Sequence, residues 1–315
     1  MRYYFAPLEG LTDSIYRRLH HTYFGGPDRY YTPFFSPTVH RALTPRESRE
    51  LPKADALDFS VVPQLLTKVP EDFLWMAAVC RDYGYTEVNL NLGCPSGTVT
   101  AKGKGSGMLQ DLDNLKAFLD QIYSAAPLPI SIKTRIGFTN SDEFPALLEI
   151  YNQYPVQELT IHPRVRAAFY NGPIDTDAFR YAVENTAIPL CYNGNLCTKA
   201  QLTALQNNFP QVGAAMLGRG LIADPGLLTS GGTTAQALEA FHDALLEEYI
   251  REFGGNRNAM FRMKENWRHW LCKFQDSEKL GKRLRKTTDV EEYKAITREI
   301  FHNLPMYTDL HPDWD

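Results

Sequence analysis

Short apolar runs with a period of two recur through the first two thirds of the chain, separated by longer segments whose apolar positions repeat at helical spacing. The pattern predicts strands at 3–6, 30–35, 61–66, 87–92, 129–133, 158–161, 189–192 and 214–217. Helical segments are predicted between them, among others at 72–83, 112–125, 144–154 and 198–207. Eight strands alternating with helices predict a closed parallel (β/α)8 barrel, the TIM barrel. A doubly wound open sheet is the structural alternative, but this number and spacing of strands suit closure better.

The alternation stops near Pro225. Ser230-Gly231-Gly232-Thr233-Thr234 reads as a small flexible joint with a ready helix N-cap. Beyond it the pattern is helical throughout, at 235–253, 259–274, 278–286 and 289–301. The expected division is a barrel over 1–231 and a small helical bundle over 232–315.

Composition narrows the function. The 315 residues, 43% hydrophobic, suit one domain of roughly 200–250 residues plus a small one. The longest apolar run, Phe73 to Cys80, is far shorter than the ~20 residues that cross a bilayer. The N-terminus shows no signal-peptide core and leads almost directly into a strand. Five cysteines without tight pairing argue against a disulfide framework and suit a reducing compartment, so a cytoplasmic location is expected; the oligomeric state is open, with a monomer as the default. There is no CxxC, and Cys191 and Cys197 lack metal-ligand spacing, so no metal is expected. A net charge of −4 speaks mildly against nucleic acid. Its distribution does not: Arg257 to Lys286 carries ten Lys/Arg and three Asp/Glu, with Trp267, Trp270 and Phe274 interleaved. The tryptophans read as bundle core. The cations, among them Arg262, Lys264, Arg268, Lys282 and Arg283, read as phosphate contacts for RNA.

The unusual residues fall at predicted strand ends, which converge on one mouth in a closed parallel barrel. Gln64 ends the third strand. Asn91-Leu92-Gly93-Cys94-Pro95 closes the fourth, where a thiol with an amide three residues upstream can deliver a proton to a bound base. Lys133 and Arg135 end the fifth, and His162 the sixth. Asn193-Gly194-Asn195 and Gly218-Arg219-Gly220 follow the seventh and eighth. There close backbone approach and an arginine suit a phosphate. Lys133 admits three readings: a solvated strand-end lysine, a Schiff-base lysine, or a cation beside an electron-rich ring such as the N1–O2 edge of a reduced flavin. His162, Gln64 and Cys94 also have bland readings as core histidine, structural amide and inert buried thiol.

These motifs together resemble the tRNA-dihydrouridine synthases, FMN-dependent barrel enzymes, over most of the chain. Ala6-Pro7-Leu8-Glu9-Gly10-Leu11-Thr12-Asp13 is similar to the opening flavin loop. Asn91 to Pro95, followed by Lys102-Gly103 and Gly105-Ser106-Gly107-Met108-Leu109, resembles the active-site signature. Lys133-Thr134-Arg135-Ile136-Gly137 resembles the K-x-R-x-G strand end. His162-Pro163-Arg164-Val165-Arg166 through Tyr170-Asn171-Gly172 keeps the spacing of H-G-R-T-R-x-x-x-Y-x-G. Departures are Pro163, Val165, Ala168 and the Gly105-Ser106-Gly107 run.

The resemblance implies that NADPH reduces bound FMN, which passes hydride to C6 of a tRNA uridine while Cys94 protonates C5. A thiol of pKa about 8.5 is protonated at neutral pH and competent for this. It further implies that Ala6, Pro7, Leu8, Gln64, Lys133 and His162 hold flavin, with Asn193, Gly194, Asn195, Gly218 and Arg219 toward its phosphate. Asn91, Arg135, Arg164, Arg166 and Tyr170 would face uracil and the RNA backbone. Two alternatives remain at this point: an FMN barrel acting on a free pyrimidine such as dihydroorotate, and a non-catalytic RNA-binding protein on a flavin fold. The choice of uridine and of NADPH over NADH is not encoded in any motif.

Overall fold

The computed structural model describes residues 1–38 and 40–310. Nine parallel strand segments form one sheet: β1 (Arg2–Phe5), β2 (Arg29–Tyr31), β3 (Val61–Val62), β4 (Gln64–Leu65), β5 (Val88–Leu92), β6 (Ile130–Arg135), β7 (Leu159–His162), β8 (Leu190–Tyr192) and β9 (Ala214–Leu217). Their order is β3-β2-β1-β9-β8-β7-β6-β5-β4. The two ends of that order are consecutive in sequence. β3 pairs with β2 and β4 with β5, so the run 61–65 closes the ring as a single stave. Pro63, which has no N–H to donate, divides that stave, although its carbonyl still accepts from Asn89 N at 2.8 Å. The strand expected at 30–35 shortens to β2 for the same reason, with Pro33 ahead of an isolated Phe35–Leu65 bridge.

Strand residues alternate between two faces, and besides the main core a separate apolar cluster of Tyr4, Tyr31, Val62, Cys191, Ala214 and Met216 forms among the strands. In β5, Val88, Leu90 and Leu92 belong to the main core, while Asn89 and Asn91 bond inward to neighbouring strands. Helices fill the connections, including Pro70–Asp82, Leu112–Ala125, Phe144–Tyr151 and Lys199–Asn208. The helix Ser14–Tyr23, absent from the sequence reading, is N-capped by Asp13 and buries Arg17 and His20. Arg17 donates to Thr12 O and Glu50 O, and His20 contacts Tyr30 Oη and Pro225 O. Buried polar side chains with full partners look like surface in a sequence pattern, which hides this helix.

The C-terminal region is helical: Ala235–Phe253, Asn256–Trp270, Glu278–Lys286 and Val290–Asn303. Trp267 and Trp270 are buried at its centre against Phe241 and Phe301. The stretch 230–234 is not a loose joint. Thr233 Oγ1 bonds Asp224 and accepts from Gly226 N, folding the segment back on the barrel's last turn. Asp224 in turn meets Lys273 Nζ of the helical region at 2.6 Å, with both side chains almost fully buried. Removing one member of such a pair leaves an uncompensated charge. Lys273→Met is expected to lower unfolding free energy by about 3–5 kcal/mol, read from urea denaturation. A loss below about 1 kcal/mol, the range of exposed pairs, would show that the bridge does not tie the two parts.

Among the described residues, no helix is long and apolar enough to cross a membrane.

Candidate active site

A chain of amides runs across the barrel floor of the site. Asn91 Nδ2 donates to Gln64 Oε1 at 2.7 Å, Gln64 Nε2 to Asn89 Oδ1 at 2.8 Å, and Asn89 Nδ2 to Ser131 Oγ at 2.9 Å. Asn91 Oδ1 meanwhile accepts from Gly93 N and Cys94 N at 3.0 and 2.9 Å. One side-chain amide therefore fixes the turn that carries the thiol. The other side of the turn is clamped by Ser106, whose Oγ donates to Cys94 O at 2.7 Å. Gly105 adopts φ +57° and packs directly on Cys94, where an added Cβ would crowd the cysteine's Cβ and carbonyl. The run 105–107 thus fixes the loop rather than decorating it. Burial raises the Cys94 thiol pKa, opposed by a hydrogen bond from the Ser96 backbone and by Arg135 and Lys133, so the sulfur holds its proton at neutral pH.

Cys94 lines a cavity of about 640 Å³ at the C-terminal ends of the strands, within the usual range for small-molecule and cofactor sites. Ala6, Pro7 and Leu8 form an apolar wall with Met216, and Gln64 and Asn91 present amides from across the barrel. Lys133, Arg135, Arg164 and Arg219 also line it, against one carboxylate, Glu9. That carboxylate is half exposed and paired with Arg46 at 2.5 Å. The Lys133 ammonium is pushed down to about 8, first by burial and then by Arg135. Arg135 is lowered to about 10 by burial; it stays charged and donates to Gly93 O and Val165 O. His162 is held well below its ordinary range by burial and by Arg135, Lys133, Arg164 and Arg219, so its imidazole is neutral.

One end of the cavity is built from two loops. Arg164 and Arg219 each donate to Asn195 Oδ1, both at 3.1 Å. Asn193 ties its loop down by donating to Met216 O at 2.8 Å. Gly194 and Gly218 line the cavity beside them. At Gly220 a Cβ would collide with the Leu196 carbonyl, so the two loops pack backbone to backbone only because no side chain is there.

The barrel residues singled out from sequence thus surround one cavity, Tyr170 included and Arg166 excepted. The cations expected to touch RNA divide differently. Arg166 does not reach the cavity. It lies beneath its rim, over the rings of Phe138 and Phe169, and donates to Thr100 Oγ1. Arg262 turns inward to Asp13 at 2.6 Å, to Leu11 O and across the Tyr249 ring. Lys264 is buried, donates to Thr287 O and Arg285 O, and has its pKa lowered by burial. These two are internal ties, which corrects their reading as phosphate contacts; periodicity counts charges without showing which way they point. Arg268, Lys282 and Arg283 are exposed, Arg268 beside Glu265 and Arg283 near Glu292 and Glu299. His269 was missed. It reaches the cavity from the C-terminal region, with its pKa lowered to about 4 by burial and by Arg219 and Arg268. Nothing in the sequence marks it, because its contact with the barrel depends on how the two parts pack.

Comparison with known proteins bears on the family and the fold. The family model described as dihydrouridine synthase matches residues 4–303. The tRNA-dihydrouridine synthase B of Pasteurella multocida is 27% identical over 227 residues, covering 72% of this chain and 67% of that protein. A probable tRNA-dihydrouridine synthase of Rickettsia conorii is 30% identical over 71% of this chain and 67% of its own. Probable tRNA-dihydrouridine synthase 1 of Synechocystis is 27% identical over 92% of this chain and 84% of its own. Among solved structures, a morphinone reductase variant in complex with tetrahydroNAD superposes with a TM-score of 0.52 at 11% identity, over 72% of this chain and 85% of its own. That likeness concerns the barrel fold alone.

Proposed function

The chain belongs to the dihydrouridine synthase family, and from that premise we propose that it reduces the C5=C6 bond of particular tRNA uridines, with FMN as resident cofactor and NADPH as reductant. The observation that carries this reading is the charge of the cavity. Four cations face one carboxylate that is already paired, so the site calls for an anionic ligand. FMN fits that donor set: a phosphate for the two-loop end, a planar amide-bearing ring for Gln64 and the apolar wall, and a ring edge for Lys133. When bound and reduced by NADPH, FMN would supply the hydride that goes to uracil C6.

The protein's own residues do the rest. Ala6, Pro7, Leu8 and Gln64 hold the ring, and neutral His162 offers a hydrogen bond without adding charge. Arg219, Asn195, Asn193, Gly194 and Gly218 take the phosphate, with Arg164 bracing Asn195. Lys133 stabilises negative charge at the ring edge. The Cys94 S–H bond breaks as a C5–H bond forms, leaving a thiolate that solvent reprotonates. Asn91 positions that thiol and keeps a second N–H for the uracil. Arg135 and Tyr170 stand where the base enters. The uridine must be extruded to reach them, at a cost of a few kcal/mol.

In the same proposal the barrel over 1–231 carries the chemistry and residues 232–315 carry tRNA contacts through Arg268, Lys282 and Arg283. Replacing Lys282 and Arg283 with alanine is expected to weaken tRNA binding and to flatten the plot of log affinity against log salt by roughly 0.7–0.9 per lost contact. An unchanged slope would remove these residues from the interface. The direct test of function is incubation of the FMN-loaded protein with NADPH and an unmodified tRNA transcript, followed by nucleoside mass spectrometry. Dihydrouridine at defined positions is expected; its absence would reject the proposal.

A further inference from the structure

We propose that Phe169 is a stacking platform for the nucleobase adjacent to the extruded uridine, a contact that rests on the tRNA reading above. Of the large apolar side chains exposed among the described residues, Phe169 and Tyr170 alone line the cavity. Tyr170 lies between the cations, 5.4 Å from Arg135 and 5.6 Å from Arg219, measured from guanidinium carbon to ring centroid. Phe169 instead sits on Arg166, whose guanidinium carbon is 4.9 Å from its ring centroid, and it remains 41% exposed.

The backbone holds it there at a cost. Phe169 has φ +50° and ψ −107°, a conformation that side-chain-bearing residues avoid. Strain of this kind persists where the surroundings over-determine it, and it concentrates at ligand contacts. The surroundings here are firm. Arg166 N and Ala167 N donate to Gly137 O and Phe138 O, both at 2.9 Å. At the far end of the loop, Arg164 grips Gly172 O with two N–H groups at 2.6 and 3.0 Å. Both feet of the loop are pinned, and its strained tip presents an apolar ring beside the entrance to the site.

A flat, apolar surface backed by a cation matches the π-face of any base. Extruding a uridine breaks its stacking on both neighbours, so a ring at the entrance can cap one neighbour and offset part of that loss. The ring belongs to the rim, outside the reacting centre, so it acts on RNA binding and not on the reductive chemistry.

The test uses FMN-loaded full-length protein and a tRNA transcript with 2-aminopurine placed 5′ or 3′ of the reduced uridine. Wild-type protein is expected to quench one of these probes on binding. Phe169→Ala should abolish that quenching and weaken tRNA affinity roughly 5–100-fold, the range of one base–aromatic stack. Its NADPH consumption without tRNA should be unchanged, and Phe169→Trp should restore both signals. Phe169→Gly, which suits the positive φ, should melt at a higher temperature yet bind tRNA as weakly as the alanine variant. Unchanged affinity and unchanged quenching in Phe169→Ala would overturn the proposal while leaving the enzymatic reading intact. If wild-type protein forms no dihydrouridine, the functional reading itself fails.

Discussion

Cys94→Ala is expected to lower dihydrouridine formation by about 10²–10⁴-fold, the usual worth of a positioned general acid. It should leave FMN content, NADPH consumption by the bound flavin and tRNA affinity close to wild type. The expectation follows from how the turn is built. Asn91 fixes the backbone N–H groups of Gly93 and Cys94, Ser106 holds the Cys94 carbonyl, and Gly105 packs beside its Cβ. Removing sulfur therefore deletes the proposed proton donor without releasing the loop. Because burial raises the thiol pKa, the acid remains protonated through neutral pH and its contribution falls only on the alkaline side. Single-turnover assays with pre-reduced enzyme isolate the step. Product formation within threefold of wild type would remove Cys94 from the chemistry.

Lys133→Met is expected to slow flavin reduction by NADPH about 10²–10³-fold, the cost of losing one preorganised electrostatic partner, and at the same time to raise the melting temperature of the cofactor-free protein. Both effects have one cause. The ammonium is held in a cavity with its pKa depressed to about 8, against about 10.4 for an unperturbed lysine. A base with a folded pKa below its unfolded one destabilises the fold. That cost is fully present below about pH 8 and fades as pH rises toward the unfolded value. The stability gain of the methionine variant should accordingly be largest near neutral pH and vanish above about pH 10–11. An anionic ligand reverses the shift, so FMN binding near pH 8–9 should draw in a proton in the wild type and not in the variant. Calorimetry in buffers of different ionisation enthalpy measures this. Equal proton uptake in the two proteins would place the charge of the site on other groups.

Much of the barrel was legible because apolar alternation in a strand depends only on which face meets the helices. Val88, Leu90 and Leu92 reveal β5, and the polar residues between them point to its inner face. Breaks were harder to see: Pro63 and Pro33 lie inside predicted strands, and each removes a donor. Ser14–Tyr23 was hidden because Arg17 and His20 are polar and buried. The barrel residues that line the cavity could be read from motifs because each lies at a strand end or in the loop that follows it, and closure brings such ends together. The helical region was read less well, for the opposite reason. Its elements were apparent, but the direction of each cation is a tertiary fact. Arg262 and Lys264 bond inward, and His269 enters the cavity from a helix with no motif of its own. Phe169 escaped notice because neither its exposure nor its positive φ has a sequence signature beyond the loop that contains it.

In the proposed function the cavity serves a flavin whose electrons end on a uridine held within RNA. The most direct measurement is anaerobic. Protein reconstituted with FMN is reduced by NADPH, mixed with tRNA lacking dihydrouridine, and followed at the visible flavin band. Rapid return of the oxidised spectrum with tRNA, and none with free uridine or orotate, is the predicted result. Return with a free pyrimidine but not with tRNA would make the protein a small-molecule reductase instead.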